Sequence, residues 1–209
     1  MRFISQDIVI GYINIQSYKA HYQDLLMVPE LKHCHAIGLG ETWLNKEEDV
    51  TIFKDQAKVS INKGKGQGLA GIFPKVPRED VIVKHGLNFS FISFKINDHN
   101  IIFTYISTKA KFDDYSESLR ELTVKNEPVI LLGDTNVHAS NASHAFMREM
   151  SKNGFQQQIK NATHTDTNIL DHVHTNSYVD LKTVTIYQKP VIFSDHDFIF
   201  VCIGKPIEE

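Results

Sequence analysis

Five short apolar segments of this chain run directly into, or start directly after, residues that can do chemistry: Asn14 and Gln16, Glu41, Asp134 and Asn136, Asp171 and His172, and Asp195 and His196. An apolar run of about 4–8 residues bounded by turn formers reads as a strand buried on both faces. Such strands need cover on each side. The pattern therefore predicts sheets packed face to face with helices outside, with polar groups at the strand ends; sequence spacing alone does not make those groups neighbours.

The remaining elements fit that plan. Asp7 to Ile15 reads as a strand with Ile8, Ile10 and Tyr12 on one face, followed by a helix from Lys19 to Met27 that stops before Pro29. His35 to Leu39 is a second apolar run ending at Glu41, Thr42 and Trp43. Gly64, Gly66, Gly68 and Gly71, with Lys63 and Lys65, punctuate a hairpin whose second arm holds Leu69 to Phe73. Phe89 to Ile96 and Ile101 to Ile106 flank the turn Asn97 to Asn100, which predicts a β-hairpin. Tyr115, Leu119 and Leu122 recur at helical spacing within Asp114 to Lys125, and Pro128 closes that run. Val129 to Leu132 is a short strand bounded by Gly133. Ala142, Phe146 and Met150 predict a helix before Phe155. Ile169 to Val173, Val179 to Tyr187 and Phe198 to Ile203 read as further strands. No repeat, low-complexity tract or Pro/Gly linker divides the 209 residues, so residues 1–209 are expected to form one domain.

Composition narrows the function classes. A formal net charge of −3 argues against a binder that holds nucleic acid by bulk electrostatics, but leaves open an enzyme that meets phosphates through metal ions. No run approaches the ~18 apolar residues of a membrane span, and Arg2, Gln6 and Asp7 stand where a secretory leader should be apolar. The expectation is no membrane partner and an intracellular protein, nuclear or cytoplasmic. Cys34 and Cys202 are the only cysteines, so neither a disulfide framework nor a cysteine zinc site is supported.

The polar groups at the strand ends suit phosphoester hydrolysis. A hard cation such as Mg²⁺ or Mn²⁺ takes oxygen ligands and needs only one or two carboxylates beside substrate phosphate, a role that Glu41 and Asp195 fit. In-line attack on phosphorus also needs an oriented water, a charge-stabilising donor and help for the leaving oxygen. Asp134, Asn136, His196 and Tyr105 carry suitable groups.

Taken in order, Asn14-Ile-Gln16, Glu41-Thr-Trp43, Tyr105, Gly133-Asp-Thr-Asn136, Leu170-Asp-His172 and Ser194-Asp-His196 resemble the endonuclease/exonuclease/phosphatase superfamily in its metal-dependent phosphodiesterase form. Glu41-Thr-Trp-Leu44, Gly154-Phe155, Thr163-His164 and Leu170-Asp-His-Val-His-Thr-Asn176 are similar, more narrowly, to endonuclease domains of mobile elements that accompany LINE-type reverse transcriptases or Helitron-type helicases. The resemblance implies a four-layer α/β/β/α sandwich with two mixed β-sheets, the DNase I-like fold, with its site at one end of the sheets. It implies Mg²⁺ or Mn²⁺ as cofactor, with Glu41 the principal metal ligand, Asn14 and Gln16 lining the metal side and Asp195 nearby. Asp134 would orient or deprotonate the attacking water, Asn136 would position that water or the phosphate, and Asp171 would hold His196 for binding the scissile phosphate. Tyr105 would contact the phosphate or assist the leaving oxygen. The sequence departs from the family pattern at Thr135, usually bulky and apolar, at His35, often Asp, and at Ile106-Ser-Thr-Lys109, which lacks the common proline and asparagine.

Blander readings stand beside these. Trp43 is a packing residue or a base-stacking platform, and Lys63 and Lys65 are a solvated hairpin or a DNA contact, with Thr108 on the same rim. His33, Cys34 and His35 form a zinc-like fragment without further support. His138, His144 and His174 read as rim or packing residues, whereas His164 and His172 could approach substrate. The leading expectation is an endonuclease acting on DNA that leaves a 3′-hydroxyl and a 5′-phosphate. The alternatives are a phosphoesterase for RNA, a phosphoinositide or a nucleotide, and a non-catalytic module that retains the sandwich.

Overall fold

A computed structural model describes residues 7–45, 50, 56–61, 63 and 65–204. The leader reading of Arg2 and Gln6 and the turn glycine Gly64 lie outside them. Strands β1 (Ile8–Asn14), β2 (Ala36–Gly40), β3 (Ala57–Ile61), β4 (Leu69–Phe73), β11 (Val184–Lys189) and β12 (Phe198–Ile203) form one sheet in the order β11-β12-β1-β2-β4-β3. Strands β5 (Ile82–His85), β6 (Phe89–Ile96), β7 (His99–Ile106), β8 (Val129–Asp134), β9 (Phe155–Gln157) and β10 (Asp171–Asn176) form the other, in the order β5-β6-β7-β8-β10-β9. Each sheet is mixed. β1 and β2 run parallel at the centre of the first and β7 and β8 at the centre of the second, and the flanking pairs are antiparallel.

Three apolar layers hold this arrangement. Between the sheets lie Ile10, Tyr12, Phe94, Phe103, Ile130, Leu132, Val173 and Val201. Outside the first sheet, α1 (Tyr18–Leu26) covers Val9, Ile13, Ile37 and Phe198 with Tyr18 and Leu25. Outside the second, α2 (Phe112–Leu122) and α3 (Ala145–Lys152) cover Phe91, Ile102, Val129 and Leu131 with Tyr115, Leu119, Phe146 and Met150. The expected four-layer α/β/β/α sandwich is what forms, because each central strand is apolar on both faces and needs a layer on each.

Side-chain alternation then assigns the strand ends. In β1 the residues Ile8, Ile10 and Tyr12 face the other sheet, so Asn14 continues that stripe; by the same parity Tyr105 follows Ile101 and Phe103, and Asp134 follows Ile130 and Leu132. All lie where the parallel strands end. Asp171 opens β10 directly opposite Asp134, because β10 is antiparallel to β8.

At this edge the sheets are tied across the core. The Tyr12 hydroxyl donates to the Thr104 carbonyl at 3.2 Å and accepts the Asp134 backbone N–H at 3.1 Å. Glycines make room for the contact: a Cβ on Gly38 would lie 2.7 Å from Tyr12 Cδ2, and one on Gly133 would lie 1.8 Å from the Thr104 carbonyl oxygen. Neither close approach tolerates a side chain.

Several element boundaries differ from the sequence reading. The strand expected over Val179 to Tyr187 begins only at Val184, since Asp180 caps a short 3₁₀ turn, its carboxylate accepting the Lys182 N–H at 3.0 Å. The helix expected from Asp114 to Lys125 spans Phe112–Leu122, and Asn126 adopts a left-handed turn conformation at φ 67°. α3 starts at Ala145, where the His144 ring accepts the Phe146 N–H as a cap. β5 and β9 were not foreseen; both are short outer strands with little periodicity.

Replacing Tyr12 with Phe keeps the ring packing but leaves the buried Asp134 N–H without its acceptor. Denaturant unfolding should show a loss of about 1–3 kcal/mol; an unchanged midpoint would mean that the bridge does not hold the sheets.

Candidate active site

Asn14, Glu41, Tyr105, Asp134, Asn136, Asp171 and His196 converge at the edge where β1, β2, β7 and β8 end. Asn14 is their hub. Its side-chain amide donates to Asp134 Oδ2 at 2.7 Å and to Glu41 Oε1 at 3.2 Å, and lies 3.4 Å from His196 Nε2. The amide orientation is set from behind, since Asn14 Oδ1 accepts the Gln16 backbone N–H at 3.3 Å. Asn14 thus registers the carboxylates as a donor, and Gln16 takes part through its backbone.

Glu41 sits just past β2 in a left-handed conformation, φ 46°, that turns its side chain into the cluster. Its Oε1 also accepts from the Tyr105 hydroxyl at 3.3 Å, and its Oε2 from the Trp43 indole at 3.4 Å. The Tyr105 hydroxyl is shared with the Gly66 carbonyl at 2.9 Å, which pins the β3–β4 turn over the site. Asn136, also left-handed at φ 52°, folds back so that its backbone N–H reaches Asp134 Oδ1 at 2.9 Å and its amide reaches Asp134 Oδ2 at 3.3 Å and the Ile106 carbonyl at 2.8 Å.

Asp171 and His196 form the second half. Asp171 Oδ2 lies 2.7 Å from His196 Nδ1, with the side chains 0% and 5% exposed, so the imidazole's orientation is settled and Nε2 faces the Asn14–Asp134 pair. Two hydroxyls absent from the candidate set support them. Ser194 donates to the Asn14 carbonyl at 2.7 Å and accepts the His196 N–H at 3.1 Å, while Thr163 Oγ1 accepts the Asp171 N–H at 3.1 Å.

The electrostatics follow from burial and crowding. Desolvation, reinforced by the negative charge of Asp171, pushes Asp134 up to about 7, with His196 opposing. Burial alone would lower His196, but the hydrogen bond and charge of Asp171, with Asp134 and Asp195, outweigh it and raise the imidazole to about 9. Burial, then the charges of Glu41 and Asp134, lift the Tyr105 phenol above its ordinary value, so it stays a proton donor. The edge therefore holds a carboxylate that can accept a proton near neutrality beside an imidazolium that can bind an anion.

Other sequence candidates fall elsewhere. His172 does not reach this edge: next to Asp171 in an extended strand, it faces the helix layer, with Nδ1 3.0 Å from His174 and Nε2 2.8 Å from the Val137 carbonyl. Burial lowers it to about 4, which keeps it neutral. Lys63 is turned to the backbone, its ammonium bonding the carbonyls of Gly86 and Phe89. Thr108 is exposed, beyond the end of β7. Lys65 lies over the Trp43 ring, 5.8 Å from its centre, forming a rim beside Glu41. Asp195 is held on the histidine side, 3.3 Å from His164 Nε2 and 3.6 Å from His196 Nε2. His35 accepts the Val9 N–H at 3.2 Å and Cys34 is buried against the Glu30 carbonyl, so that trio does not converge.

A hard divalent ion fits the open side of this cluster. Glu41 is only half-buried and supplies carboxylate oxygens, and one carboxylate with water and substrate phosphate is a sufficient donor set. In the metal-free protein the His196 ring should titrate near 9 by NMR, and Asp171→Asn should bring it to about 6.5 or below. Because the folded value lies above the unfolded one, the pair's contribution to stability is full below about 6.5 and is lost as pH rises through about 9. A ring that titrates alike in both proteins would remove Asp171 as the cause.

No family model matches the sequence, and no curated protein does. Solved structures do. A 3′ phosphatase from Neisseria bound to a product DNA hairpin superposes with a TM-score of 0.74 at 13% identity, covering 94% of this chain and 99% of that one. The endonuclease domain of TRAS1, a telomere-specific non-LTR retrotransposon, gives 0.69 at 13% identity over 96% of this chain and 100% of its own. A Leptotrichia buccalis protein described as of the endonuclease/exonuclease/phosphatase family gives 0.64 at 15% identity, covering 94% and 99%. At such identities the likeness is one of architecture, and the architecture of this chain is the endonuclease/exonuclease/phosphatase fold.

Proposed function

We propose that this chain is a divalent-metal-dependent endonuclease that hydrolyses phosphodiester bonds in DNA, serving a mobile element alongside a reverse transcriptase or helicase. The observation that carries the reading is the hydrogen-bonded convergence of Asn14, Glu41, Tyr105, Asp134, Asn136 and the Asp171–His196 pair at one sheet edge. Each of these residues came from the ordered motif set. DNA as substrate, and the mobile element, are favoured by the narrower motif similarity and by the DNA hairpin and the retrotransposon domain among the similar structures.

The chemistry divides among the residues as follows. His196 presents Nε2 to a phosphate oxygen, its positive charge maintained by Asp171. Asp134, lifted toward neutrality, orients the attacking water and takes its proton, and the Asn136 amide holds that water in line. Tyr105, kept protonated, donates to the phosphate or the departing 3′-oxygen. Glu41 would hold Mg²⁺ or Mn²⁺, which offsets charge on the phosphate and leaving oxygen. Asn14 keeps the two halves in register.

The test is conversion of supercoiled plasmid to nicked circle with Mg²⁺, Mn²⁺ or EDTA. Metal-dependent nicking should fall at least ~10²-fold in both Asp134→Ala and His196→Ala without unfolding, as expected for groups that act in the transition state. Near-parental rates in either variant would overturn its role. If the parent does not nick with any metal, the DNA assignment fails, and RNA and phosphorylated small molecules become the substrates to assay. Calorimetry showing no Mn²⁺ binding would favour a non-catalytic module.

A further inference from the structure

His164, Asp195 and His196 form a cluster whose ligand atoms all lie within 4.8 Å of one another. His164 stands outside the group that hydrogen-bonds around Asn14, and nothing in the hydrolytic reading requires it. We propose that these three side chains bind Zn²⁺, and that filling the site stops hydrolysis by occupying His196 Nε2. Only the inhibitory consequence rests on the role given to His196; binding does not.

The donor set separates this site from the oxygen-rich one at Glu41. Two imidazoles and a carboxylate suit a borderline transition metal, whereas Mg²⁺ prefers oxygen throughout. The spacing is near that of a bound ion. Ligands about 2.0–2.2 Å from a tetrahedral ion stand roughly 3.3–3.6 Å apart; here His164 Nε2 is 3.3 Å from Asp195 Oδ2 and His196 Nε2 is 3.6 Å from Asp195 Oδ1, the two oxygens of one carboxylate, and the set as a whole spans up to 4.8 Å, so binding draws the rings inward. The imidazoles meet edge to face with centres 4.8 Å apart, an arrangement in which both ring nitrogens reach the same carboxylate. Asp195 Oδ1 is buried without a hydrogen-bond partner, an acceptor that the ion would satisfy.

The backbone prepares this geometry. His164 and His196 form an antiparallel bridge, flanked by the Asp197 N–H bonded to the Thr163 carbonyl at 2.7 Å and the Thr165 N–H bonded to the Asp195 carbonyl at 2.9 Å. A carboxylate also stands behind the His196 imidazole, as is usual for metal-bound histidine. Asp171 Oδ2 is 2.7 Å from His196 Nδ1, which keeps that proton, so zinc binding displaces the Nε2 proton of the imidazolium to solvent. Asp166 Oδ2 is 3.6 Å from His164 Nδ1. Without metal, His164 Nδ1 accepts the Asp166 N–H at 3.1 Å, so the ring proton sits on Nε2 toward Asp195; binding moves it to Nδ1, which requires the Asp166 N–H to turn away and leaves the Asp166 carboxylate, 3.6 Å off, as an acceptor to be drawn in. The Asp195 side chain is 38% exposed, so the cluster is open to solvent on that side.

Zinc titration of the metal-stripped full chain by calorimetry tests the site, with the absorption spectrum of the Co²⁺-loaded protein reporting coordination number. One Zn²⁺ per chain is expected, insensitive to excess Mg²⁺, with affinity weakened at least ~100-fold in both His164→Ala and Asp195→Asn. Two variants are used so that misfolding of one does not decide the matter; circular dichroism establishes that each is folded. Glu41→Gln should leave zinc affinity unchanged. No zinc binding, parental affinity in both histidine-side variants, or loss in Glu41→Gln would overturn the assignment. In the nicking assay, Zn²⁺ added to the Mg²⁺-supported reaction should inhibit the parent and inhibit His164→Ala at least ~100-fold less strongly; equal inhibition would overturn the regulatory part. If the chain does not nick DNA, calorimetry still decides the metal site, so the two readings fail separately.

Discussion

The hydrogen bonds that cross between the two sheets at one edge are the constraint on which the rest of the molecule turns. Tyr12 reaches from the first sheet to Thr104 and Asp134 of the second, and Asn14, two residues on, reaches Asp134 as well. Burying these groups is costly unless every donor and acceptor is matched. The sheets are therefore held in one relative position. Gly38 and Gly133 serve the same end by permitting backbone and ring to approach where any Cβ would collide.

That rigid seam makes the electrostatics possible. Asp134 and Asp171 are opposite each other in the ladder, both buried, and Glu41 joins Asp134 through the Asn14 amide. Burial first, and then the like charge of Asp171, oppose ionisation of Asp134, and the imidazolium of His196 relieves this only in part, so the Asp134 carboxyl titrates well above the usual carboxylate range. A hard cation at Glu41 and a phosphate at His196 would each meet a matching charge. The open side of the cluster lies at the rim formed by Trp43 and Lys65.

Much of this was legible in the residue order. The apolar stripe Ile8, Ile10, Tyr12 predicts the face on which Asn14 lies, and the same parity predicts the inward placement of Tyr105 and Asp134. Parity also shows why His172 had to fail as a substrate contact, since its neighbour Asp171 faces the site. β5 and β9 were not legible, because short outer strands draw their pairing from partners distant in sequence rather than from their own pattern. Lys63 misled for a related reason: a lysine beside glycines looks solvated until the carbonyls of Gly86 and Phe89 arrive beside it.

By itself the sequence determined the layers, the strand ends at which polar groups gather and the identity of most of those groups, because alternation and burial are local properties of the chain. Only the tertiary structure decided which groups are partners. It joined Asn14 to Asp134 across 120 residues and Asp171 to His196 across 25, and it brought His164 to Asp195 through a bridge between two loops. The physical reason is that strand order, and hence adjacency, follows from packing all the apolar faces at once. No segment of the sequence carries that information alone.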